Sequence, residues 1–385
     1  MPCPIAHDRD DRKSAALAAA NLAFEPGAEI VGQFHAAQAI LRDPQMRQAG
    51  IGADEVRVGN PDQLSVFFLD GELHRKRRAA IARFFTPRAI NSRYRAVMDG
   101  TADRLVGELA RTGSARLDII SFQLTVEVAA QIIGLTDSNP AAMAERIRRT
   151  LDNGGGTYRL KGLRRLAASS AAVFYAIQFL LFDVLPAMLA RRRSRREDVL
   201  SLMLDERYAL RALLIECLTY AAAGMVTTRE FIVMAAWHML EREELKAGFL
   251  AAGEDGQIAM LEEILRLEPI ASVLHRRGPG EDGQLHALDV RAANTDPAIT
   301  GPCPHALDPE RRRHMKGSVA GLSFGDGAHR CPGAQVALHE SRVFLDKLLR
   351  LPGIRLAQAP RISWRPDLMS YELRDAIVTC DAAGR

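Results

Sequence analysis

The segment Phe324-Gly-Asp-Gly-Ala-His-Arg-Cys331-Pro-Gly333 places one cysteine between a glycine-rich loop and an amphipathic pattern. Small and apolar residues recur at three- and four-residue spacing after Gly333, which predicts a helix that opens just beyond Cys331. A sulfur at a helix N-terminus faces unpaired amides and the positive end of the helix dipole, and both favour its deprotonated, metal-binding form. Gly325 and Gly327 let the backbone approach a flat ligand without an intervening Cβ. The segment therefore predicts a loop that presents one thiolate to a metal.

This segment resembles the heme-binding loop of the cytochrome P450 family, whose pattern is F-x-x-G-x-[HR]-x-C-x-G. The residues that fill the pattern are Phe324, Gly327, His329, Cys331 and Gly333. The resemblance implies a bound heme b (iron protoporphyrin IX) with Cys331 as the iron ligand and with Phe324, Gly325, His329 and Gly333 around the cofactor.

Two other roles for the cysteine stay open on the residues alone. One is a buried structural cysteine beside an ordinary turn. The other is a zinc site, although the soft ligands in this region follow no C-x-x-C or H-x-x-x-H spacing. These ligands are Cys303, His305, His314, His329 and Cys331.

The resemblance also implies a fold class for the whole chain of 385 residues. We expect a mainly α protein with a small β region, formed as a single domain over residues 1–385. It would be a triangular prism with heme between a long oxygen-groove helix and the helix after the cysteine. Residues 71–266 and 331–350 would form the helical core, and the β region would lie within about 15–70 and 270–300. Between Leu285 and Ala292 the chain is about ten residues shorter than the family pattern, which leaves the β region there open.

Composition excludes several classes. The five scattered cysteines predict no disulfide framework, which suits a reducing cytoplasm. Net charge is +4, and the basic residues are dispersed without an aromatic stripe, so we expect no nucleic-acid partner. The most apolar stretch, 173–189, is short for a bilayer span and contains Asp183, so we expect no integral membrane anchor. Arginines at 191–193, 195 and 196 follow it, which leaves a peripheral membrane contact open.

A long helical pattern from Arg211 to Leu240 contains small residues at its centre. In the family the oxygen-groove helix has the pattern A-G-x-[DE]-T, which Ala223, Gly224 and Thr227 match. The resemblance implies that Thr227 bonds iron-bound dioxygen and helps to deliver protons. A helix threonine that bonds back to the preceding turn is the alternative.

Val226 occupies the position where the family pattern has an acid. Because a valine cannot relay a proton, water, Thr228 or a substrate hydroxyl would have to do so. This departure favours a second hypothesis beside ordinary hydroxylation, namely oxidative coupling, ring formation or peroxide use. A non-catalytic heme-binding or sensor protein is the third.

Glu263 and Arg266 stand three residues apart on one predicted helix, where a bidentate pair can form. The spacing alone is typical of a solvated surface pair. By the resemblance it is the E-x-x-R pair beneath the heme. The family adds a later arginine, and the nearest equivalent position in this chain is Ala306, beside His305.

Cationic side chains are expected around the two heme propionates. Asp70-Gly-Glu-Leu-His74 and Arg78 resemble the family pattern D-P-P-E-H-x-x-x-R, so His74 and Arg78 would both donate to the propionates. His329 would be a third donor and Arg277 a fourth, with Arg276 as the alternative to Arg277.

By the same resemblance, the substrate is a lipophilic small molecule such as a terpenoid, steroid-like or polyketide compound. Dioxygen is the second substrate, and electrons come from a ferredoxin and its NAD(P)H-dependent ferredoxin reductase. Residues 75–77 are typical of a solvated face, and by the resemblance they form the face on which the ferredoxin docks. The protein would act as a cytoplasmic monomer. The stretch 173–189 would contribute to the pocket. The individual pocket residues would be Phe67, Phe68, Met225, Val226, Ile270, Val273 and Leu274.

Overall fold

The computed structural model describes residues 10–12, 24–50, 64–154, 162–280, 282–313, 315, 317–365 and 368–382, with side chains left out at 154 and 162–169. The α-helices are α1 Phe34–Arg42, α2 Gly71–Ala82, α3 Pro87–Ala89, α4 Arg95–Thr112, α5 Leu117–Ile133, α6 Pro140–Gly154, α7 Gly162–Phe179, α8 Leu185–Arg193, α9 Val199–Asp205, α10 Leu210–Tyr220, α11 Thr227–Glu241, α12 Glu243–Ala251, α13 Glu254–Leu267, α14 Val290–Asn294, α15 Pro297–Thr300 and α16 Ala334–Leu349. Segments of π-helix span Ile90–Tyr94, Leu180–Val184 and Ala221–Val226, and 3₁₀ turns span Val66–Phe68, Arg83–Phe85, Arg311–Arg313 and Gly327–His329. The strands are β1 Glu29–Val31, β2 Arg47–Ala49, β3 Ser114–Arg116, β4 Val273–Arg277, β5 Leu285–Asp289, β6 Arg355–Gln358, β7 Arg361–Arg365, β8 Ser370–Arg374 and β9 Ile377–Thr379.

A four-stranded sheet in the order β1-β5-β4-β2 joins the N-terminal segment to the region after α13. β4 and β5 form an antiparallel hairpin in which Val273 lies opposite Asp289. β5 leads directly into α14, and the Asp289 side chain caps that helix by accepting a hydrogen bond from the Ala292 amide at 2.9 Å. The shortened segment thus keeps its sheet, because no loop separates the strand from the helix.

The C-terminal region adds two smaller sheets that the sequence patterns did not predict. One has the order β3-β9-β6, and the other is the β7-β8 hairpin. β3 lies between α4 and α5 in the chain and pairs with β9. The three-stranded sheet therefore joins the C-terminal strands to the helical core.

The predicted long helix is confirmed as a continuous helical run from α10 through the π-helical segment Ala221–Val226 to α11. α11 packs between α5 and α16. Its central residues are fully buried and form part of the main apolar core. These residues are Ile232, Val233, Met234, Ala235 and Ala236. The predicted oxygen-groove helix is therefore held rigidly, because α11 packs against other helices on both sides.

Two helical runs are long and apolar enough to cross a membrane by length and composition, namely Ser170–Arg193 and Leu210–Glu241. The second is the core helix just described, and core helices pass the same test, so the signal is weak.

The cysteines differ from one another in state. Cys217, Cys331 and Cys380 are free thiols. Cys303 takes part in a disulfide, so the chain has at least one such bond, whereas the prediction concerned a disulfide framework.

Candidate active site

The loop before Cys331 is closed by its own backbone. The Cys331 amide donates to the Phe324 carbonyl at 2.8 Å. Gly325 and Gly327 have φ angles of +66° and +65°, which side chains other than glycine rarely adopt. A Cβ at Gly327 would lie 2.2 Å from the Leu41 carbonyl oxygen. The predicted tight turn is therefore confirmed, and at Gly327 it also brings the loop against α1.

Asp326 fixes this loop to α1. Its carboxylate accepts hydrogen bonds from the Gly327 amide at 2.7 Å, from Gln38 Nε2 at 2.9 Å and from Arg42 Nε at 3.0 Å. These contacts lower the pKa of Asp326 in spite of its partial burial. The sequence patterns did not single out Asp326, because its partners lie almost 300 positions away in the chain.

The helix predicted after the cysteine is confirmed as α16, with Gly333 at its N-cap. Pro332 lies before the cap and not in the first turn. The Cys331 side chain has exposed atoms, although protein surrounds it closely. This surrounding protein raises the pKa of the thiol, whereas the amides of Gly333 and Ala334 and the charge of Arg78 oppose the rise. The thiol thus has the donors that stabilise a negative sulfur, and metal binding would deprotonate it.

The predicted pair of Glu263 and Arg266 is formed and is almost fully buried. Arg266 Nε lies 2.7 Å from Glu263 Oε2, and Arg266 Nη2 lies 2.8 Å from Oε1, which is a bidentate geometry. A third member is Arg311, whose Nε donates to Glu263 Oε1 at 2.8 Å. The assignment of the third position to Ala306 is therefore wrong. The Ala306 carbonyl instead accepts hydrogen bonds from both arginines.

Asn294 joins this buried cluster to the cysteine loop. Its Nδ2 donates to the Arg266 carbonyl at 3.1 Å and to Ser323 Oγ at 2.8 Å. Its Oδ1 accepts a hydrogen bond from the Leu322 amide at 2.7 Å. A Cβ at Gly321 would clash with the same oxygen at 2.2 Å. Sequence reasoning missed Asn294, whose only local signal is its place at the end of a short helix.

The polar end of the site is built from the histidines predicted to bind propionates. The rings of His74 and His329 stack with centroids 4.1 Å apart and planes 19° apart. His329 Nε2 lies 3.1 Å from Asp70 Oδ1. Burial, together with the nearby His329 and Arg78, lowers the pKa of His74 to about 4. Arg78 donates to the Arg330 carbonyl, and it lies close to Cys331 and Tyr220.

The arginine that joins this cluster is Arg276 and not Arg277. Arg276 Nη1 donates to Gln48 Oε1 at 2.6 Å, and its charge lowers the pKa of both histidines. Burial lowers the pKa of Arg276 itself to about 10. Arg277 donates instead to the Gly283 carbonyl at 3.2 Å. Successive strand residues point to opposite faces, so one position along β4 decides which arginine reaches the histidines.

The groove helix is widened at its small residues by the π-helical segment Ala221–Val226, a feature that is frequent at functional sites. Ala223 and Gly224 are exposed, and a Cβ at Gly224 would meet no neighbour within 4 Å. Thr227 Oγ1 donates to the Ala223 carbonyl at 2.6 Å. The hydroxyl therefore makes the bond to the preceding turn and lies one helical turn from the open surface.

Thr228 faces the other way, into the protein. It is buried, and its hydroxyl is hydrogen-bonded to the Glu340 carboxyl of α16. Burial raises the pKa of Glu340 well above that of a free carboxyl group. Among the described residues, Glu340 Oε2 has no hydrogen-bond partner. A buried carboxyl group with a raised pKa thus connects the groove helix to the cysteine helix.

The predicted pocket residues divide into two groups. Phe67, Phe68 and Leu274 are half-buried, and the two phenylalanine rings pack edge to face at 5.1 Å. The other four members are buried, and their place in the substrate pocket stays a prediction. Met225 is 0 % and Val226 3 % exposed in the main core, Ile270 joins the same core, and Val273 packs in a small separate cluster with Ala287 and Met369.

The known proteins that resemble this chain over most of its length include two bacterial enzymes. The chain is 27% identical over 359 residues to Nocardicin C N-oxygenase of Nocardia uniformis subsp. tsuyamanensis, covering 87% of this chain and 85% of that one. It is 28% identical over 346 residues to the cytochrome P-450 monooxygenase DoxA of Streptomyces sp. (strain C5), covering 82% and 78%. The chain is thus similar to bacterial cytochrome P450 enzymes over most of its length. No protein-family model matches it.

A solved structure confirms the P450 fold. The crystal structure of P450BioI in complex with an acyl carrier protein ligated to hexadec-9Z-enoic acid superimposes with a TM-score of 0.74. It is 22% identical and covers 91% of each chain. The predicted fold class, a mainly α P450 fold with small sheets, is therefore confirmed.

The residues of the site fit heme b, the cofactor of this family. The Cys331 thiol supplies a soft ligand, and exposed Ala223 and Gly224 leave room for a flat ring. The buried Tyr220 hydroxyl, near Arg78, has no hydrogen-bond partner among the described residues. A cofactor with two carboxylates would supply acceptors for such donors. The donors at this end are His74, Arg78, Tyr220, Arg276 and His329.

Proposed function

We propose that this P450 monooxygenase activates dioxygen to hydroxylate a lipophilic small molecule, with electrons from a ferredoxin and an NAD(P)H-dependent ferredoxin reductase. The observation that carries the proposal is the exposed Cys331 thiol at the start of α16, together with a groove helix opened at Ala223 and Gly224. A terpenoid, steroid-like or polyketide compound suits the apolar, half-buried Phe67 and Phe68.

When bound, the heme supplies the one-electron and dioxygen chemistry that protein side chains lack. Cys331 Sγ would hold the iron as its thiolate ligand. The amides of Gly333 and Ala334 point at that sulfur and moderate its charge. His74, Arg78 and Arg276 would orient the cofactor through its carboxylates. The cluster of Glu263, Arg266 and Arg311 is joined to the cysteine loop through Asn294.

Proton supply falls to residues other than the one at position 226, because Val226 is apolar and buried. Thr227 Oγ1 holds a proton beside the groove and passes it only when its bond to the Ala223 carbonyl is released. Thr228 and Glu340 hold a second exchangeable proton, on the inner side of the helix. We expect Glu340→Gln to keep heme binding and to increase the fraction of electrons lost as peroxide.

The second candidate function is oxidative coupling, ring formation or peroxide-driven oxidation. The observation that favours this second function is Val226, which cannot relay a proton. A site that delivers protons slowly suits reactions that consume fewer protons. Oxygen labelling separates the two candidates. With labelled dioxygen, hydroxylation leaves the label in the product, whereas coupling and ring closure leave none.

The shared premise is tested by the carbon monoxide difference spectrum of the reduced protein. A red-shifted Soret band is expected from thiolate-bound heme, and Cys331→Ser should lose it while Cys380→Ala retains it. An unshifted band in the unaltered protein contradicts heme-thiolate ligation. Substrate classes can then be screened by the spin-state shift that a bound lipophilic compound produces.

The ferredoxin contact is proposed on α2. Arg75 and Lys76 are exposed there. Arg77 is not available to a partner, because its Nη1 donates to the Leu64 carbonyl at 2.7 Å and its guanidinium lies over the Tyr208 ring. The predicted docking face is therefore limited to the other two cations. Charge reversal of Arg75 and Lys76 should slow electron transfer more at low than at high ionic strength.

A further inference from the structure

An apolar stripe runs along the outer face of α7, the π-helical segment Leu180–Val184 and α8. Its members are large hydrophobic side chains that are each about half exposed, which is unusual for one contiguous face of a globular protein. They are Val173 at 57 %, Phe174 at 56 %, Ile177 at 47 %, Leu181 at 50 %, Phe182 at 56 % and Leu189 at 51 % exposed. From the first to the last, the stripe is about 24 Å long at the rise of an α-helix.

The opposite face of the same run is fixed to the protein body. Phe179 and Val184 are fully buried in the main core. Asp183 is also fully buried and accepts hydrogen bonds from Ser138 Oγ and from Arg146 Nε, both at 2.7 Å. A helix held in this way cannot turn its apolar stripe inward or leave the body to span a bilayer. The stripe faces outward as a constant feature of the fold.

Cations frame the stripe, and acids are missing from it. The one acidic residue between 170 and 196 is the buried Asp183. Arg192 and Arg193 are exposed just beyond Leu189 and make no ion pair with any described residue. On the flank, the Arg146 guanidinium lies 5.6 Å from the Phe182 ring centroid. The surface is therefore both apolar and basic.

We infer that this stripe lies on an anionic lipid surface, with the helix run parallel to the membrane plane. Apolar side chains would enter the boundary between headgroups and acyl chains, while Arg192 and Arg193 pair with lipid phosphates. A lipid surface demands no matching shape, whereas a protein interface carries about one hydrogen bond per 100–200 Å². The exposed stripe residues have no polar side-chain atoms to make such bonds.

The experiment is co-sedimentation of the heme-loaded protein with two kinds of vesicle. One kind contains phosphatidylcholine alone, and in the other about one lipid in three is the anionic phosphatidylglycerol. We expect binding to the anionic vesicles that weakens as salt is added. Phe174→Ser with Phe182→Ser should lower the partition coefficient about tenfold, since two half-exposed rings leave the membrane. Arg192→Glu with Arg193→Glu should lower it about tenfold as well, at low salt only.

Matched controls separate the stripe from general surface effects. Ile30→Ser removes a side chain that is 56 % exposed elsewhere on the surface, and Arg111→Glu with Arg313→Glu reverses two distant exposed cations. Both should bind like the unaltered protein, and all variants should keep the carbon monoxide difference spectrum. Failure of the unaltered protein to bind vesicles, or equal binding by the serine variant, overturns the inference. A dimer in sedimentation velocity that the serine variant abolishes, without vesicle binding, assigns the stripe to a second copy of the chain and also overturns it.

Discussion

Arg311 Nε donates a hydrogen bond to Glu263 Oε1 at 2.8 Å, although the two residues are 48 positions apart. Both are buried, at 4 % and 0 % exposure. Arg311 also donates to the carbonyls of Thr300, Cys303 and Ala306 at 2.7 to 3.0 Å. One guanidinium therefore holds together the E-x-x-R helix and the irregular segment that leads to the cysteine loop.

Replacing Arg311 by leucine should destabilise the protein strongly. The change leaves three carbonyl oxygens and one carboxylate oxygen with fewer donors, and breaking a buried ion pair costs about 3 kcal/mol or more. Denaturant unfolding of the heme-free protein measures this loss. Arg313→Leu is the control, since that side chain is 76 % exposed and its loss should change stability by about 0.5 kcal/mol or less. Equal effects of the two changes would contradict the structural role of Arg311.

Gly327→Ala should prevent correct heme-thiolate ligation. The new Cβ would lie 2.2 Å from the Leu41 carbonyl oxygen, so either the loop or α1 must move. Gly317→Ala is a matched control, because Gly317 also has a positive φ angle but a Cβ there meets none of the described residues within 4 Å. We expect the carbon monoxide difference spectrum to lose its shifted band in the first variant and to keep it in the second. A normal spectrum for Gly327→Ala would show that the loop tolerates the clash.

The sequence patterns predicted those parts of the site whose chemistry is local. A thiolate before a helix, small residues on the groove helix and a carboxylate one turn from a guanidinium are each specified within ten residues. The contacts of Arg311 and Asn294 were missed because they join segments separated by irregular chain. The spacing of residues along an irregular segment does not predict which distant residues that segment will contact.

The choice between Arg277 and its alternative Arg276 was left open by the sequence for a different reason. A strand directs neighbouring side chains to opposite faces, so an alignment error of one residue reverses the result. The burial of Met225 and Val226 could not be predicted either, because the sequence gives no sign of a π-helical segment, which shifts the residues that follow around the helix axis. Only the folded structure shows that Met225 and Val226 lie in the core.

Heme-free protein should lose stability on acidification through His74. Its pKa is lowered from 6.5 to about 4 in the folded state, so folding disfavours the protonated form. The contribution of His74 to the free energy of unfolding is complete above pH 6.5 and is lost as the pH falls through about 4. Its total size is about 1 to 3 kcal/mol. Unfolding curves at several pH values should show a weaker pH dependence for His74→Gln than for the unaltered protein. A residual slope from His329 is expected, because burial lowers the pKa of that imidazole too.

Pro332 should keep the reduction potential low. The amides of Gly333 and Ala334 point at the Cys331 sulfur, and Pro332, which has no N–H, cannot add another donor. Pro332→Leu provides one more N–H near the sulfur, which should withdraw electron density and raise the potential. Spectroelectrochemical titration of both proteins measures the difference. A potential in the leucine variant equal to or below that of the unaltered protein contradicts the argument.

Val226→Asp should destabilise the protein and should not restore a proton relay. Val226 is 3 % exposed in the main core, so a carboxyl group there loses its water, and burial without a partner costs about 1 to 3 kcal/mol. Burial would also raise the pKa of the new carboxyl group. Val173→Asp is the matched control, because that valine is 57 % exposed and should tolerate the charge. Unfolding measurements decide the first point, and the ratio of peroxide formed to NAD(P)H consumed decides the second. A stable Val226→Asp variant with reduced peroxide release would show that position 226 does reach the groove.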